Sequence, residues 1–406
     1  MKYFTHILSN GLKLIHYPVN SEVAHCGLII NAGSRDEEEN EQGIAHFIEH
    51  MMFKGTKKRK AFHILSRMDD VGGEINAYTS KEETCIHTSF IRKEYERSLE
   101  LISDITFNSI FPGNEINKER NVILDEINSY LDNPAESIYD DFEELIFKNQ
   151  PLGKNILGKP SLLKKITKKD IENFIARNYN PSEMVIGSVG RIDFQKLINL
   201  TEKHFSHIEP NGIQKNRAPF THYQPTHLTL NKNTNQAHCM MGNVTYSMHH
   251  PKTYTMALLD NLIGGPGLNT RLNMQLREKL GYVYHVESNY AAFSDVGLFS
   301  VYFGGEKEKL EKTTQHILKE FKLLREKKLG TIQLSRAKKQ LYGQIAISAE
   351  NNSSLMLSMS KSYLMKNCVD SLEEIHRKIE RITADDLLET ANLVLNNNQL
   401  SILTYT

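Results

Sequence analysis

A chain of 406 residues exceeds one ordinary domain and implies two or three. Its 49 basic and 49 acidic side chains balance, which argues against nucleic acid or an anionic membrane as a partner. No run of about 18 apolar residues occurs, so no membrane-spanning helix is expected.

The first residues, Met1 to Gly11, alternate like a strand and turn at Asn10-Gly11, without the apolar core and cleavage site of a signal peptide. Four scattered cysteines, Cys26, Cys85, Cys239 and Cys368, read as reduced core thiols, which fits a cytoplasmic protein. Leu12–Tyr17 and Ala24–Ile30 are apolar or β-branched runs, hence strands. The acidic run Asp36–Glu39 reads as a solvated loop, and so does the basic cluster Lys57–Lys60.

Between them lies Gly43-Ile44-Ala45-His46-Phe47-Ile48-Glu49-His50-Met51-Met52-Phe53-Lys54-Gly55-Thr56. As a helix it puts His46 and His50 at i and i+4, both imidazoles leaving one face. Two imidazoles one turn apart can fill two positions of a tetrahedral zinc, and the adjacent Glu49 is a candidate general base. The order His-x-x-Glu-His inverts the commoner His-Glu-x-x-His. Ile44, Phe47, Ile48 and Met51 supply the apolar contacts of a buried helix.

Phe62–Val71 is expected to be a short helix broken by Gly72-Gly73, and Glu74–Ser80 and Thr84–Phe90 a pair of strands. Helices are expected at Tyr95–Ser109, Asn114–Leu131, Ser137–Phe147, Lys168–Asn178 and Phe194–Phe205, with a buried strand at Met184–Gly190. Asn114–Leu131 carries Glu115, Glu119, Asp125 and Glu126. Glu119 and Glu126 share a face two turns apart, which fits either a metal ligand or an ordinary solvated helix with pairs such as Glu115–Lys118.

Residues 210–225 are polar and proline-rich, a linker between an N-terminal domain, 1–209, and a C-terminal domain, 226–406. The second half resumes the theme of the first. Thr226–Leu230 echoes Thr5–Leu8, and Ala237–Met241 echoes Ala24–Leu28. A helix at Met256–Ile263 stands where the first half has its His-rich helix but carries no His or Glu, and it stops at Gly264-Gly265-Pro266-Gly267. A helix at Leu268–Leu280 ends on Gly281. Strands at Val283–Tyr290 and Gly297–Phe303, helices near Glu306–Lys328 and Ile332–Met365, and a strand at Gln399–Leu403 follow. His249-His250, before Pro251, reads as an exposed loop. Without a regular βαβ beat, the fold class is α+β: two related domains of mostly antiparallel sheet packed with helices, the second a weak repeat of the first.

Gly33-Ser34-Arg35, the segment from His46 to Thr56, Gly73, Asn76-Ala77, Thr79, Glu119 and Glu126 together resemble the insulinase-like (pitrilysin) zinc metallopeptidases. The similarity is to the short subfamily that includes the mitochondrial processing peptidase. That family pairs the inverted motif with a glutamate about 75 residues on, where Glu126 stands. The resemblance implies one zinc ion per chain, held by His46, His50 and Glu126. It makes Glu49 the base and Glu119 a carboxylate steadying a ligand histidine. Arg277 and Tyr284 look like the family's substrate-gripping pair, and Tyr284 would donate its O–H toward a developing oxyanion.

The expected activity is endopeptidase cleavage of extended peptides, added as a strand to the edge at Asn76-Ala77-Tyr78-Thr79. In the double-length members of the family the inverted motif lies in the first half and the Arg/Tyr pair in the second. This chain is one half in length and holds both, so the resemblance implies a homodimer with active sites shared between subunits. The alternative is a non-catalytic relative that binds peptides or scaffolds a complex.

Overall fold

The runs at Val23–Ile30 and Met184–Gly190 are mostly apolar, and in the computed structural model both are central strands, the second buried along its whole length and the first from Cys26 onward. The structure describes residues 3–213 and 215–406. The first half contributes β1 (Phe4–Ile7), β2 (Lys13–Pro18), β3 (Val23–Ile30), α1 (Ile44–Met52), α2 (Ala61–Asp69), β4 (Glu74–Thr79), β5 (Thr84–Ile91), α3 (Tyr95–Phe107), α4 (Gly113–Leu131), α5 (Pro134–Ile146), α6 (Pro160–Leu163), α7 (Lys168–Asn178), β6 (Met184–Gly190) and α8 (Phe194–Phe205). The second half contributes β7 (His227–Leu230), β8 (Ala237–Thr245), α9 (Thr253–Gly264), a π-helical turn (Asn273–Lys279), β9 (Val283–Ala292), β10 (Gly297–Gly305), α10 (Leu310–Glu326), α11 (Thr331–Ala349), α12 (Asn352–Lys366), α13 (Leu372–Glu380), α14 (Ala384–Val394) and β11 (Ser401–Tyr405). Among the described residues no helix is long and apolar enough to cross a membrane.

The chain folds as two compact units of α+β type, and each is built from pieces of both halves. The first comprises Met1–Ile127, Lys154–Arg217 and Ile347–Ser371; the second comprises Asn128–Gly153, Ala218–Ala346 and Leu372–Thr406. In the first unit the sheet order is β1-β2-β6-β3-β5-β4, with β2 parallel to β6 and the other pairings antiparallel. The strand period of two sends Leu14, Leu28 and Ile186 into one apolar layer and Ile15, Ile29 and Val185 into another. α1 and α3 contribute to the first layer, and α12 brings Met356, Met359 and Leu364 to the second.

The second unit repeats this topology. Its order is β7-β11-β8-β10-β9, with β7 parallel to β11 and the remaining pairs antiparallel. Here Met241, Phe299 and Val301 face the layer of α9, α10 and α14, while Met240, Leu298 and Leu403 face Ile138, Phe142 and Ile146 of α5. The third long helix after each β-hairpin, α5 or α12, therefore covers the sheet made mainly by the other half of the chain. The topology matches β8 to β3 and α9 to α1, as the echoes suggest. It matches β7 to β2, however, because both lie parallel beside the strand that closes the repeat, so the Thr226–Leu230 echo of Thr5–Leu8 is one strand out of register.

Several local readings are corrected. The helix expected at Ile332–Met365 is two helices: the Asn351 side chain accepts the Ser354 N–H at 2.9 Å and starts α12 afresh. α13 and α14 add to the expected helices, and α14 starts on a capping box of Thr383 and Asp386. The acidic run is not a solvated loop throughout. Asp36 is ion-paired to Lys215 and Arg217, both at 2.8 Å, and Glu37 is buried; only Glu38 and Glu39 are exposed. Those two cations belong to the expected linker, so part of 210–225 is tied down by charge. In the basic cluster, Arg59 pairs with Glu100 at 2.7 Å and Asp104 at 2.6 Å. Cys26, Cys85 and Cys239 are buried free thiols, whereas Cys368 is exposed. His249 is exposed, but His250 stacks on Tyr246 with ring centroids 3.9 Å apart.

α12 reaches the first sheet through glycines. A Cβ at Gly187 would collide with the Ser360 hydroxyl and crowd Met356, and one at Gly27 would press on the Met356 methyl at 3.1 Å. Gly187→Ala is expected to destabilise the protein by about 1–3 kcal/mol, the range for overpacking a filled core. Adding Ser360→Ala should restore part of the loss, both read from urea unfolding midpoints. A Gly187→Ala protein as stable as wild type would show that α12 is not packed this way.

Candidate metal centre

α1 enters through Gly43, whose φ of +93° is left-handed and suits glycine. A Cβ there would run into the backbone of Leu157 and Gly158, so the loop after α5 sets the entry of the helix. The first turn is held from outside as well. Glu37 Oε2 accepts the Gly43 N–H at 2.9 Å and Oε1 accepts the Ala45 N–H at 3.0 Å, satisfying donors that a helix start leaves open. Burial pushes the Glu37 carboxyl up to about 8, against the pull of those two amides and the Lys154 ammonium.

His46 and His50 leave one face of α1, with ring centroids 4.6 Å apart. Their Nε2 atoms lie 3.8 and 3.7 Å from the same oxygen, Glu126 Oε2 on α4. These separations are too long for hydrogen bonds. Ligand atoms around a tetrahedral zinc stand about 3.3 Å apart, so the three side chains leave a gap of roughly the right size for an ion. Among the described residues this trio is the group of His, Cys, Asp and Glu whose ligand atoms all lie within 4.8 Å of one another. Burial, and secondarily the neighbouring His50, lowers the His46 pKa to about 4 and keeps its imidazole neutral, as metal binding requires.

Glu119, also on α4, is buried and does not join the trio. Its Oε2 lies 3.2 Å from His50 Nδ1 and its Oε1 2.7 Å from Lys54 Nζ. Accepting the Nδ1 proton leaves the Nε2 lone pair of His50 free to face the gap. Glu49 projects beside the trio, and its Oε2 accepts the Thr79 hydroxyl at 2.6 Å. Burial raises its pKa, the charge of Glu126 adds to the rise, and Thr79 and His50 oppose it. A carboxylate moved this way is better matched to taking a proton near neutral pH.

Thr79 ends β4, the terminal strand of the sheet order, so the expected edge is an edge in fact and abuts α1. Its side chains are less free than expected. The hydroxyl of Thr79 is engaged by Glu49, and the Tyr78 hydroxyl donates to Glu83 at 3.1 Å within the same hairpin, while Asn76 is exposed and Ala77 half-buried. Arg277 and Tyr284 lie in the second unit. Arg277 sits on the π-helical turn and, with Gly264–Gly267 and His285, lines a cavity of about 230 Å³. Tyr284, on β9, is 63% exposed.

Glu37 and Lys54 join the site beyond the residues expected from the sequence. Lys54 could be found as the next step of the four-residue spacing from His46 and His50, whereas nothing local marks Glu37, six residues before Gly43 in a run of acids.

Known proteins resemble this chain along its length. The profile described as Insulinase (Peptidase family M16) matches residues 14–160, which contain the whole trio, and that described as Peptidase M16 inactive domain matches residues 165–341. An uncharacterized zinc protease of Rickettsia felis is 35% identical, covering 96% of this chain and 94% of the relative. The mitochondrial-processing peptidase subunit beta of Saccharomyces cerevisiae is 28% identical, over 98% of this chain and 89% of that protein. The crystal structure of a protease from Helicobacter pylori, 23% identical, superposes with a TM-score of 0.90 over 100% of this chain and 99% of that one, a likeness of fold. With the profile matches and the Rickettsia relative spanning nearly its full length, the chain belongs to the insulinase family of peptidases, family M16, in its short subfamily.

Proposed function

We propose that the protein is a zinc-dependent endopeptidase with one zinc per chain, held by His46, His50 and Glu126. The observation that carries the reading is the convergence of their ligand atoms on one gap, with Glu49 held beside it by the edge strand. The zinc-protease names of the relatives support the choice of metal. When bound, zinc supplies Lewis acidity, polarising the scissile carbonyl and making water acidic near neutral pH.

Glu49 takes the proton of the attacking water and delivers it to the leaving nitrogen. Thr79 fixes one oxygen of Glu49, leaving the other for that transfer. Glu119, neutralised by Lys54, keeps His50 in the tautomer that presents Nε2. The outer edge of β4 pairs with the backbone of an extended substrate, which gives affinity with little demand on sequence. Tyr284 donates to the developing oxyanion and Arg277 grips a peptide carbonyl. The chain works as a homodimer in which the trio of one subunit faces Arg277 and Tyr284 of the other.

Glu49→Gln should keep zinc and fold but lose at least about 100-fold in peptidase activity, as expected for a missing general base. His46→Ala, His50→Ala and Glu126→Gln should instead lose zinc, measured by metal analysis. Activity of Glu49→Gln within about tenfold of wild type would refute the base assignment. Wild-type protein that purifies without stoichiometric zinc would favour a non-catalytic, peptide-binding role.

Unstructured peptides should be cut and tightly folded proteins spared, because strand addition needs about four to six residues of free backbone. Rapid cleavage within an ordered segment, mapped by mass spectrometry, would contradict this.

Mixing Glu49→Gln with Tyr284→Phe subunits, each inactive alone, tests the shared sites. Free exchange makes about half the dimers mixed, each with one intact site, so activity should recover to about a quarter of wild type. No recovery after complete exchange would mean that the two elements meet within one chain or not at all.

A further inference from the structure

The two ligand imidazoles are held by different means. His50 has a carboxylate on its second ring nitrogen, Glu119 at 3.2 Å. His46 has none among the described residues: its Nδ1 is buried without a hydrogen-bond partner there. Nothing polar therefore orients the His46 ring directly, and its aim depends on packing and on the backbone that carries it.

That backbone is the third residue of α1, inside the first turn. A first turn frays most readily, because its N–H groups lack intrahelical acceptors. Here Glu37 takes two of them, at Gly43 and at Ala45, the residue immediately before His46. Glu37 is itself immobilised. Its side chain is buried, its carbonyl accepts the Lys154 ammonium at 3.0 Å, and the Lys154 carbonyl accepts Lys81 Nζ at 2.7 Å. Next to it, Asp36 is locked by Lys215 and Arg217. Beneath the turn, Gly43 and Gly158 approach so closely that a Cβ on either would strike the other's backbone.

We propose that Glu37 is a positioning residue of the metal centre: it clamps the first turn of α1 so that His46 Nε2 meets the point defined by His50 and Glu126. The proposal rests on the zinc reading above. Glu37 plays for His46, through the main chain, the part that Glu119 plays for His50 through the ring.

The test compares Glu37→Ala, Glu37→Gln and Gly187→Ala, the last a destabilised control remote from α1. Zinc affinity of each purified protein is measured by competition with a chromophoric chelator, alongside urea stability. Glu37→Ala should bind zinc about 10–100-fold more weakly, the usual cost of losing a residue that orients a ligand. Glu37→Gln, which keeps one acceptor oxygen, should fall between, and cobalt-substituted Glu37→Ala should show an altered visible spectrum. Gly187→Ala should keep wild-type zinc affinity despite its lower stability. Wild-type affinity in a folded Glu37→Ala protein, or an equal loss in Gly187→Ala, would overturn the proposal. If Glu37→Ala does not fold, Glu37→Gln decides by the same criterion. Failure of the wild type itself to bind zinc would instead overturn the zinc reading.

Discussion

Two imidazoles and three carboxylates crowd within a few ångströms of α1, and what each needs from its surroundings explains much of the first unit. Burial keeps His46 neutral. Glu119 could not be buried as a charge without compensation, and Lys54 and His50 provide it. Glu49 is raised by burial but retained by the Thr79 hydroxyl. Glu126 is half-buried where Glu119 is buried, and its oxygen lies near two nitrogens without hydrogen-bonding to either. Carboxylates outnumber cations here, and a dication on the gap would resolve the imbalance.

Rigidity comes from the same region. Asp36 and Glu37 are adjacent in sequence and do different work. The first draws in the cations of the segment after α8, and the second caps α1. Together with the close passage of Gly43 against Gly158, they tie α1 to two distant stretches of chain, the segment after α8 and the loop after α5. Mispositioning a reacting group by even an ångström is costly for catalysis, so such reinforcement suits a helix that carries the proposed ligands.

The repeat shows what the second unit lacks. α9 occupies the place of α1 but offers no histidine and no glutamate. Its one acid, Asp260, is pushed up to about 7 by burial and lies beside Ser288. The position in the repeat is kept while the ligands are absent, in line with the inactive-domain description of residues 165–341. The surface next to it instead carries the glycine turn and Arg277.

The chain order of residues was enough to put His46, His50 and Glu49 on one short helix, because helical spacing is local and needs no tertiary partner. It was enough, too, for most strands and helices, whose apolar periodicity is read within a dozen residues. Tertiary structure alone decided the rest. Whether Glu119 or Glu126 faces the gap depends on how α4 is rotated against α1, which the heptad spacing of the two glutamates leaves open. The placing of α5 and α12 on sheets built mainly by the other half depends on packing between segments far apart in sequence. The same holds for Glu37, which looks solvent-bound in a run of acids until the fold brings two open backbone donors to its carboxylate.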